Sequence, residues 1–216
     1  MSRRALIVVD VQNDYADGEL PIEFPDVQDS LRNIGTVMEA ARASAIPVVV
    51  VQNILPPNAP FMAEGSTGVA LHEIIATRPC DHYVAKKLPS AFAETDLEAW
   101  LRQHAIDTVT VIGYMTHNCN LSTMLHAFHS GFAVEFISDA SGSVPYENRA
   151  GQATTEEIHR VMSVVLQSRF AAVMSAAEWI EMLRQDTKPE RDSIYRSNRR
   201  ARGLEVAVCS ISDRMT

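Results

Sequence analysis

The sequence lacks the features that mark several large protein classes. It has three widely spaced cysteines, an odd number with no C-x-x-C pair: Cys80, Cys119 and Cys209. This pattern favours free thiols in a reducing cytosol over a disulfide framework, so we expect a cytoplasmic protein. The first apolar run ends after five residues at Asp10, and no run approaches the ~20 residues of a spanning helix. We therefore expect neither a signal peptide nor a membrane span.

Positive charge is also scarce. The formal net charge is −8 at pH 7 and the isoelectric point is about 5.3. An acidic surface repels phosphate groups, so we expect neither nucleic acid nor an anionic membrane as the main partner. No internal repeat or low-complexity tract interrupts the chain. Its 216 residues, 46% of them hydrophobic, are enough to bury the full core of one domain.

What the sequence does contain is a regular alternation of short apolar runs and helical segments. Each strand is followed by a predicted helix or helical turn, which predicts a parallel, doubly wound α/β sheet with helices on both faces. The predicted strands are residues 5–10, 47–51, 82–86, 108–113, 132–138 and 170–175, and the main predicted helices are residues 27–44, 119–130, 150–167 and 177–185.

Residues that carry chemistry follow three of these strands. Cys119 comes after a glycine turn that begins at Gly113, at the start of a helix, where partial positive charge favours a thiolate. Asp10 ends the first strand, and Lys86 and Lys87 end the third. The carboxyl ends of strands are where open α/β sheets build their active sites. The pattern predicts a nucleophile, an acid and a cation at one edge.

Each of these residues also has an ordinary alternative. Cys119 could be a buried small hydrophobe, which is the common role of a free cysteine, and Cys80 and Cys209 are expected to be inert. Asp10 could bond the turn that follows it, and both lysines could be solvated strand ends. Strand periodicity does not choose between Lys86 and Lys87.

Histidines can bind a metal ion or act as a general base, and three histidines of this chain are candidates for these roles. His126 and His129 lie at i and i+3, but no Asp or Glu at suitable spacing accompanies them, so no metal site is predicted. His117 lies two residues before Cys119, and residues two apart on a turn point in different directions. We therefore favour Asp10 as the base, with His117 in the pocket wall or at an interface.

The last 30 residues break the alternation. Residues 187–216 contain a basic stretch in an acidic protein, with arginines at Arg191, Arg196, Arg199, Arg200 and Arg202. A solvated extension is the ordinary interpretation of such a stretch. We predict two regions, an α/β domain over residues 1–186 and a basic extension over residues 187–216. The extension is expected to pack on a neighbouring subunit, whose acidic surface suits it.

Three motifs together resemble the cysteine hydrolases of the isochorismatase superfamily. They are Asp10-Val11-Gln12-Asn13-Asp14-Tyr15, then Lys86 followed by Ser90-Ala91-Phe92, and then Gly113-Tyr114-Met115-Thr116-His117-Asn118-Cys119. They occur in the family's order and at similar spacing. The resemblance covers about residues 5–183.

The resemblance implies a set of specific features. It implies a triad of Asp10, Lys86 and Cys119, a cis peptide between Tyr114 and Met115, and an oxyanion hole made by the Met115 and Cys119 N–H groups. It also implies a three-layer α/β/α fold with a six-stranded parallel sheet in the order 3-2-1-4-5-6, and a homo-oligomer, either a dimer or a tetramer. That order places Lys86 two strands from Asp10, so its long side chain must cover the gap.

Departures from the family pattern narrow the expected activity. The nicotinamidase branch has Asp-x-His and a further histidine after the second strand, whereas this chain has Asn53-Ile54-Leu55 there and no histidine before His72. Nicotinamidase activity and a bound metal are therefore not expected. The isochorismatases proper lack the cysteine nucleophile, so Cys119 argues against their vinyl ether chemistry too.

The sequence thus predicts a cysteine hydrolase, without metal or cofactor, that cleaves a C–N bond of a small amide, lactam, carbamoyl or ureido compound. The expected pocket is mostly apolar and has no obvious arginine clamp, which disfavours a strongly anionic substrate. A redox-reactive cysteine protein and a non-catalytic scaffold of the same fold remain alternatives. The residues expected to line the pocket are Tyr15, Asn53, Phe61, Phe92, Tyr114 and His117.

Overall fold

A computed structural model describes residues 2–205 of the chain, so Cys209 lies outside the described residues. The strands are β1 (Arg4–Val9), β2 (Val48–Asn53), β3 (His82–Lys86), β4 (Thr108–Tyr114), β5 (Ala133–Gly142), β6 (Tyr146–Asn148), β7 (Gly151–Ala153) and β8 (Ala172–Met174). The helices are α1 (Asn13–Ala16), α2 (Val27–Ala43), α3 (Glu73–Ala76), α4 (Leu97–Gln103), α5 (Leu121–His129), α6 (Thr155–Val165), α7 (Ala176–Gln185) and α8 (Ile194–Ala201). Two π-helical turns, Thr116–Asn120 and Leu166–Phe170, adjoin α5 and α6.

Six strands form one parallel sheet in the order β3-β2-β1-β4-β5-β8. Because β6 and β7 form a separate two-stranded hairpin, β8 is the sixth strand of this sheet in chain order. The predicted six-stranded order 3-2-1-4-5-6 is therefore confirmed. β1 occupies the centre between β2 and β4, which brings Asp10 to the middle of the sheet edge.

Alternation of side chains along β1 divides the core into two halves. Leu6 and Val8 pack with residues of α2 and α7 on one face, whereas Ile7 and Val9 pack with residues of α4 and α5 on the other. All of these strand residues are fully buried. A sheet covered on both faces needs strands that are apolar throughout, which is what β1 and β2 provide.

Helix α2 begins close to where its periodicity predicts. Its cap is Asp26, whose side chain accepts the backbone N–H groups of Gln28 and Asp29. The Asp26 carboxylate also lies at the positive end of the helix, where it is stabilising.

The prediction that one helix covers residues 150–167 is wrong at its start. The β6–β7 hairpin occupies residues 146–153, and α6 begins at Thr155. Thr154 and Glu157 form a capping box in which each side chain bonds the other's backbone N–H. This reciprocal pairing satisfies two free N–H groups at the helix start and so determines where the helix begins.

The segment after α7 contacts its own domain before it forms α8. Asp186 ends α7 in a left-handed conformation with φ 49°. Arg191 then donates to the Val134 carbonyl at 2.9 Å, and Gln167 donates to the Glu190 carbonyl at 3.3 Å. In α8, Arg200 pairs with Asp192. Packing of this segment on a neighbouring subunit stays a prediction.

Within residues 2–205, no helix has the length and apolar character needed to cross a membrane.

Candidate active site

Three strand ends meet at one edge of the sheet. Asp10 follows β1 directly and has a positive φ of 51°, Lys86 is the last residue of β3, and Cys119 lies in the π-helical turn that follows β4. Because these strands are parallel, their carboxyl ends lie together. The topology alone therefore brings the three residues to the same place.

The Lys86 ammonium lies between the other two groups. Its Nζ is 2.7 Å from Oδ2 of Asp10 and 3.3 Å from the Sγ of Cys119. The contact with Asp10 is an ion pair by distance, without the directionality of a hydrogen bond. The side chains of Lys86 and Asp10 are fully buried. The lysine thus reaches across β2, as the sheet order requires.

Lys86 and Lys87 have opposite environments. Lys86 is 2% exposed, whereas Lys87 is exposed at the surface. Successive strand residues point to opposite faces, so only one of the two can enter the site from β3. The structure directs Lys86 toward Asp10 and Cys119.

The environment of Cys119 differs from the sequence-based expectation of a resting thiolate. Burial raises the pKa of the Cys119 thiol, the Asp10 carboxylate raises this pKa further, and the Lys86 ammonium only partly opposes both. The positive end of the helix is therefore outweighed by burial and by a neighbouring anion. Burial also raises the pKa of Asp10, against the opposing effect of Lys86. The neutral thiol is the favoured resting state of Cys119.

The turn between β4 and Cys119 depends on a glycine. Gly113 has φ +100°, and a Cβ at this position would lie 2.1 Å from the Val9 carbonyl oxygen of β1. The peptide bond between Tyr114 and Met115 is cis. The Met115 carbonyl accepts the N–H groups of Asn118 and Asn120, and the Cys119 N–H is not among its donors. The participation of the Met115 and Cys119 N–H groups in an oxyanion hole stays a prediction.

The four aromatic residues expected in the pocket are all buried or partly buried against the core. Tyr114 is fully buried and its hydroxyl shares a hydrogen bond with Ser30 of α2, while Phe92 is buried and stacks on His126 at 5.0 Å. Both rings therefore help to form the packed walls behind the site. Tyr15 lies 5.7 Å from Tyr114, and burial raises its pKa, with the charge of Cys119 adding to the effect. Phe61 is partly buried against the same core. Direct contact of any of them with a substrate stays a prediction.

His117 has an unusual set of contacts. Its Nδ1 is hydrogen-bonded to Ser143, and its Nε2 is buried without a hydrogen-bond partner among residues 2–205. Burial lowers the pKa of His117 to about 4, so the imidazole is neutral at physiological pH. A neutral ring that is not hydrogen-bonded to Cys119 agrees with the choice of Asp10 as the base.

Tyr146 is a residue near the site that the sequence pattern does not indicate. It lies on β6, its ring packs edge-on with His117 at 4.8 Å, and burial raises its pKa, with a further contribution from Cys119. The sequence pattern predicts a loop and the start of a helix where the structure has the hairpin that carries Tyr146. The short segment Ser143-Val144-Pro145, which ends the preceding strand, was the available signal.

The other candidate residues have structural surroundings. His126 bonds Ser90 through Nδ1 and stacks on Phe92, and His129 packs against Phe128. Within residues 2–205, no group of three His, Cys, Asp or Glu side chains is arranged to hold a metal ion. Of the two cysteines in that range, Cys80 is exposed and Cys119 is buried.

Comparisons with known proteins agree with this architecture. The family model of the isochorismatase domain matches residues 4–178. A crystal structure of an isochorismatase-type protein from Burkholderia xenovorans LB400 is 61% identical, covers 94% of this chain and 97% of its own, and superposes with a TM-score of 0.92.

Two curated relatives are more distant. An uncharacterized isochorismatase family protein, YddQ of Bacillus subtilis, is 26% identical over 179 residues, which are 82% of this chain and 98% of that protein. The ureidoacrylate amidohydrolase RutB of Methylobacterium radiotolerans is 28% identical in an alignment of 205 positions that covers 80% of this chain and 76% of that protein.

Proposed function

Because the chain belongs to the isochorismatase family, we propose that it is a cysteine-dependent hydrolase that cleaves a C–N bond of a small molecule. The observation that carries this proposal is the buried contact of Lys86 with both Asp10 and Cys119. A nucleophile, a proton acceptor and a cation in mutual contact are the groups that acyl transfer through a thioester requires.

The first half of the proposed reaction forms an acyl-enzyme. Asp10 takes the proton of the Cys119 thiol, and the thiolate attacks the carbonyl carbon of the substrate. The N–H groups of Met115 and Cys119 hold the oxyanion of the tetrahedral intermediate, where loss of one donor typically costs ~3–4 kcal/mol. The C–N bond then breaks as Asp10 gives its proton to the leaving nitrogen, which leaves a thioester on Cys119.

The second half restores the enzyme. Asp10 accepts a proton from water, and the resulting hydroxide attacks the thioester carbonyl. The C–S bond breaks, the acid product leaves, and the proton on Asp10 returns to the Cys119 sulfur. Lys86 remains protonated throughout, because its ammonium offsets the negative charge that moves between Asp10 and Cys119. Its pKa is raised by both anions despite the opposing effect of burial.

The surroundings of Cys119 favour a neutral substrate. Two tyrosines, Tyr15 and Tyr146, lie close enough to Cys119 that, in addition to burial, a thiolate there raises the pKa of each hydroxyl. The nearby His117 is neutral. Aromatic and neutral polar groups recognise uncharged amides better than anions. Since RutB is named for a ureido substrate, ureido and carbamoyl compounds are the first candidates, followed by simple amides and lactams.

The test is a screen of ureido compounds, carbamoyl compounds and primary amides for ammonia release, and of lactams for ring opening by mass spectrometry, followed by substitution of the nucleophile. Cys119→Ala should lower kcat by at least ~10³-fold, with little change in thermal stability, because the thioester can no longer form. Cys80→Ala is the matched control, since Cys80 is exposed and distant from these contacts, and it should retain full activity. Full turnover by Cys119→Ala would contradict the proposal.

A further inference from the structure

The Lys86 ammonium has a third partner that the proposed reaction does not explain. Its Nζ lies 3.3 Å from the Oδ1 of Asn53, in addition to its contacts with Asp10 and Cys119. A lysine ammonium carries three N–H donors and no acceptor. Asn53 and Cys119 each accept a hydrogen bond from one of these donors, and Asp10 forms an ion pair with the same ammonium, so three groups together hold its position.

Asn53 is itself held in place from two directions. Its backbone N–H donates to the Oε1 of Gln12, and the Nε2 of Gln12 donates back to the Asn53 carbonyl, both at 2.9 Å. Gln12 is 1% exposed, and its own N–H bonds the Asp10 carbonyl. The Gln12 side chain thus ties the end of β2 to the segment that carries Asp10.

The orientation of the Asn53 amide follows from its two neighbours. Its Nδ2 faces the sulfur of Met62 at 3.6 Å, which leaves Oδ1 toward the Lys86 ammonium. The reverse orientation would point two N–H donors at a cation, and the electrostatic repulsion excludes it. Asn53 is only 8% exposed, so water does not easily replace it.

From these contacts we infer that Asn53 is a positioning residue, which directs the Lys86 ammonium at Asp10 and Cys119 while leaving its full charge to them. A neutral amide can do this because it accepts a hydrogen bond without adding an anion. A carboxylate at the same position would compete for the ammonium and would disfavour negative charge on Cys119. The inference rests on the proposed function, and it assigns Asn53 a role other than the pocket-lining role expected from the sequence.

The experiment measures the reactivity of Cys119 directly, without any substrate. Iodoacetamide alkylates a thiolate, so the rate of its reaction with Cys119 at a fixed pH of about 8, followed by peptide mass spectrometry, reports the fraction of thiolate present. Cys80 of the same molecule is the internal reference. Asn53→Asp should slow alkylation of Cys119 about tenfold or more relative to Cys80, because the added carboxylate lies beside Lys86 and disfavours the Cys119 thiolate.

Asn13→Asp is the matched control for this substitution. Asn13 bonds the Thr67 carbonyl near the surface, so the same exchange of amide for carboxylate there should change the rate of Cys119 alkylation less than about twofold. Asn53→Ala is the second variant, since it adds no buried charge and decides the question if Asn53→Asp does not fold. It should slow alkylation of Cys119 at least about fivefold relative to Cys80 and lower kcat about tenfold, with KM within threefold.

Two results would overturn the inference. One is an unchanged Cys119 alkylation rate in folded Asn53→Asp. The other is Asn53→Ala that alkylates like the wild type and changes only KM, which would return Asn53 to the substrate pocket. These results differ from a failure of the proposed function, which would appear as turnover by Cys119→Ala.

Discussion

At the residue scale, the candidate site is a small cluster of charge inside an apolar core. Asp10 and Lys86 are both buried, and each is tolerable there because the other is 2.7 Å away. Removing one partner leaves an uncompensated buried charge, whereas removing an exposed neighbour changes little. Adjacent residues on one strand can therefore differ greatly in their effect on activity.

The adjacent lysines provide the first residue-scale prediction. Lys86→Ala should lower kcat by ~10²-fold or more, because Asp10 and Cys119 then carry negative charge at close range without compensation. Lys87→Ala, at an exposed position of the same strand end, should leave kcat close to wild type and change the free energy of unfolding by under ~0.5 kcal/mol. Steady-state kinetics and urea denaturation of both variants are the measurements. If both variants were fully active, the triad hypothesis would be wrong.

Two buried histidines provide the second residue-scale prediction, which concerns the pH dependence of stability. Burial lowers the pKa of both His117 and His159 to about 4 in the folded state, and the charge of His117 contributes to the shift of His159. In the unfolded chain these groups titrate near 6.5, so between pH 6.5 and pH 4 the unfolded state binds more protons. Stability must then fall as the pH is lowered through this window, by up to about 1.4 kcal/mol per pH unit for each histidine.

The measurement is the free energy of unfolding in urea at pH 7, 6 and 5. The double variant His117→Gln, His159→Gln should lose less stability between pH 7 and pH 5 than the wild type does. Asp10, whose raised pKa acts with the opposite sign, is common to both proteins and cancels in the comparison. Equal losses in the two proteins would mean that the histidines do not titrate as expected.

At the element scale, the turn after β4 determines whether Cys119 reaches the site. Gly113 lies against the backbone of β1, and the π-helical turn carries Cys119 back over the sheet edge. Close approach of two backbones excludes a side chain, and the positive φ of Gly113 disfavours one independently. The two effects can be separated with a second glycine.

Gly113→Ala should destabilise the protein by at least about 3 kcal/mol, because its Cβ would collide with the Val9 carbonyl and could be accommodated only by moving β1 or β4. Gly131 is the matched control, since it has a similar φ of +83° with no atom within 4 Å of its missing Cβ. Gly131→Ala should cost only the conformational penalty of about 1–2 kcal/mol. Thermal and urea unfolding measure both. Equal losses would show that backbone conformation, rather than close approach, requires Gly113.

At the scale of the whole molecule, an acidic domain ends in a basic segment. The segment of residues 187–205 contacts the domain through Arg191, while the basic helix α8 leaves Ile194 and Tyr195 more than half exposed. Helix α6 also exposes apolar side chains at Val161, Val164 and Val165. Exposed apolar surface beside a basic helix is the kind of surface that a second, acidic copy of the chain can cover.

Deletion of residues 187–216 should therefore weaken or change self-association while the domain stays folded, because the six-stranded sheet is complete before this segment begins. Size-exclusion chromatography with light scattering measures the mass, and circular dichroism verifies the fold. An unchanged oligomer would indicate that the segment is a solvated extension.

The sequence by itself determined the sheet and its edge. Apolar runs such as Thr108-Val109-Thr110-Val111-Ile112, which is long enough for only one strand and is followed by a helical pattern, predict a parallel sheet covered on both faces. The strand-end positions left Lys86 and Lys87 as alternatives, and the resemblance of the three motifs to the isochorismatase superfamily then predicted that Asp10, Lys86 and Cys119 meet. The predicted start of α6 is wrong because the sequence signals of the short hairpin after Pro145 are weaker than the helical periodicity of the residues that follow the hairpin.

Only the tertiary structure decided the charge states and the supporting contacts. Nothing local to Cys119 reveals that burial and Asp10 outweigh the positive helix end, because the pKa depends on groups that approach from other strands. Three contacts join residues that are far apart in the sequence. Lys86 bonds Asn53, which is 33 positions away, and two hydrogen bonds link the Gln12 side chain to the Asn53 backbone, 41 positions away. Tyr146 packs on His117, 29 positions away. Sequence periodicity describes one element at a time, whereas these distances arise only when the elements pack together.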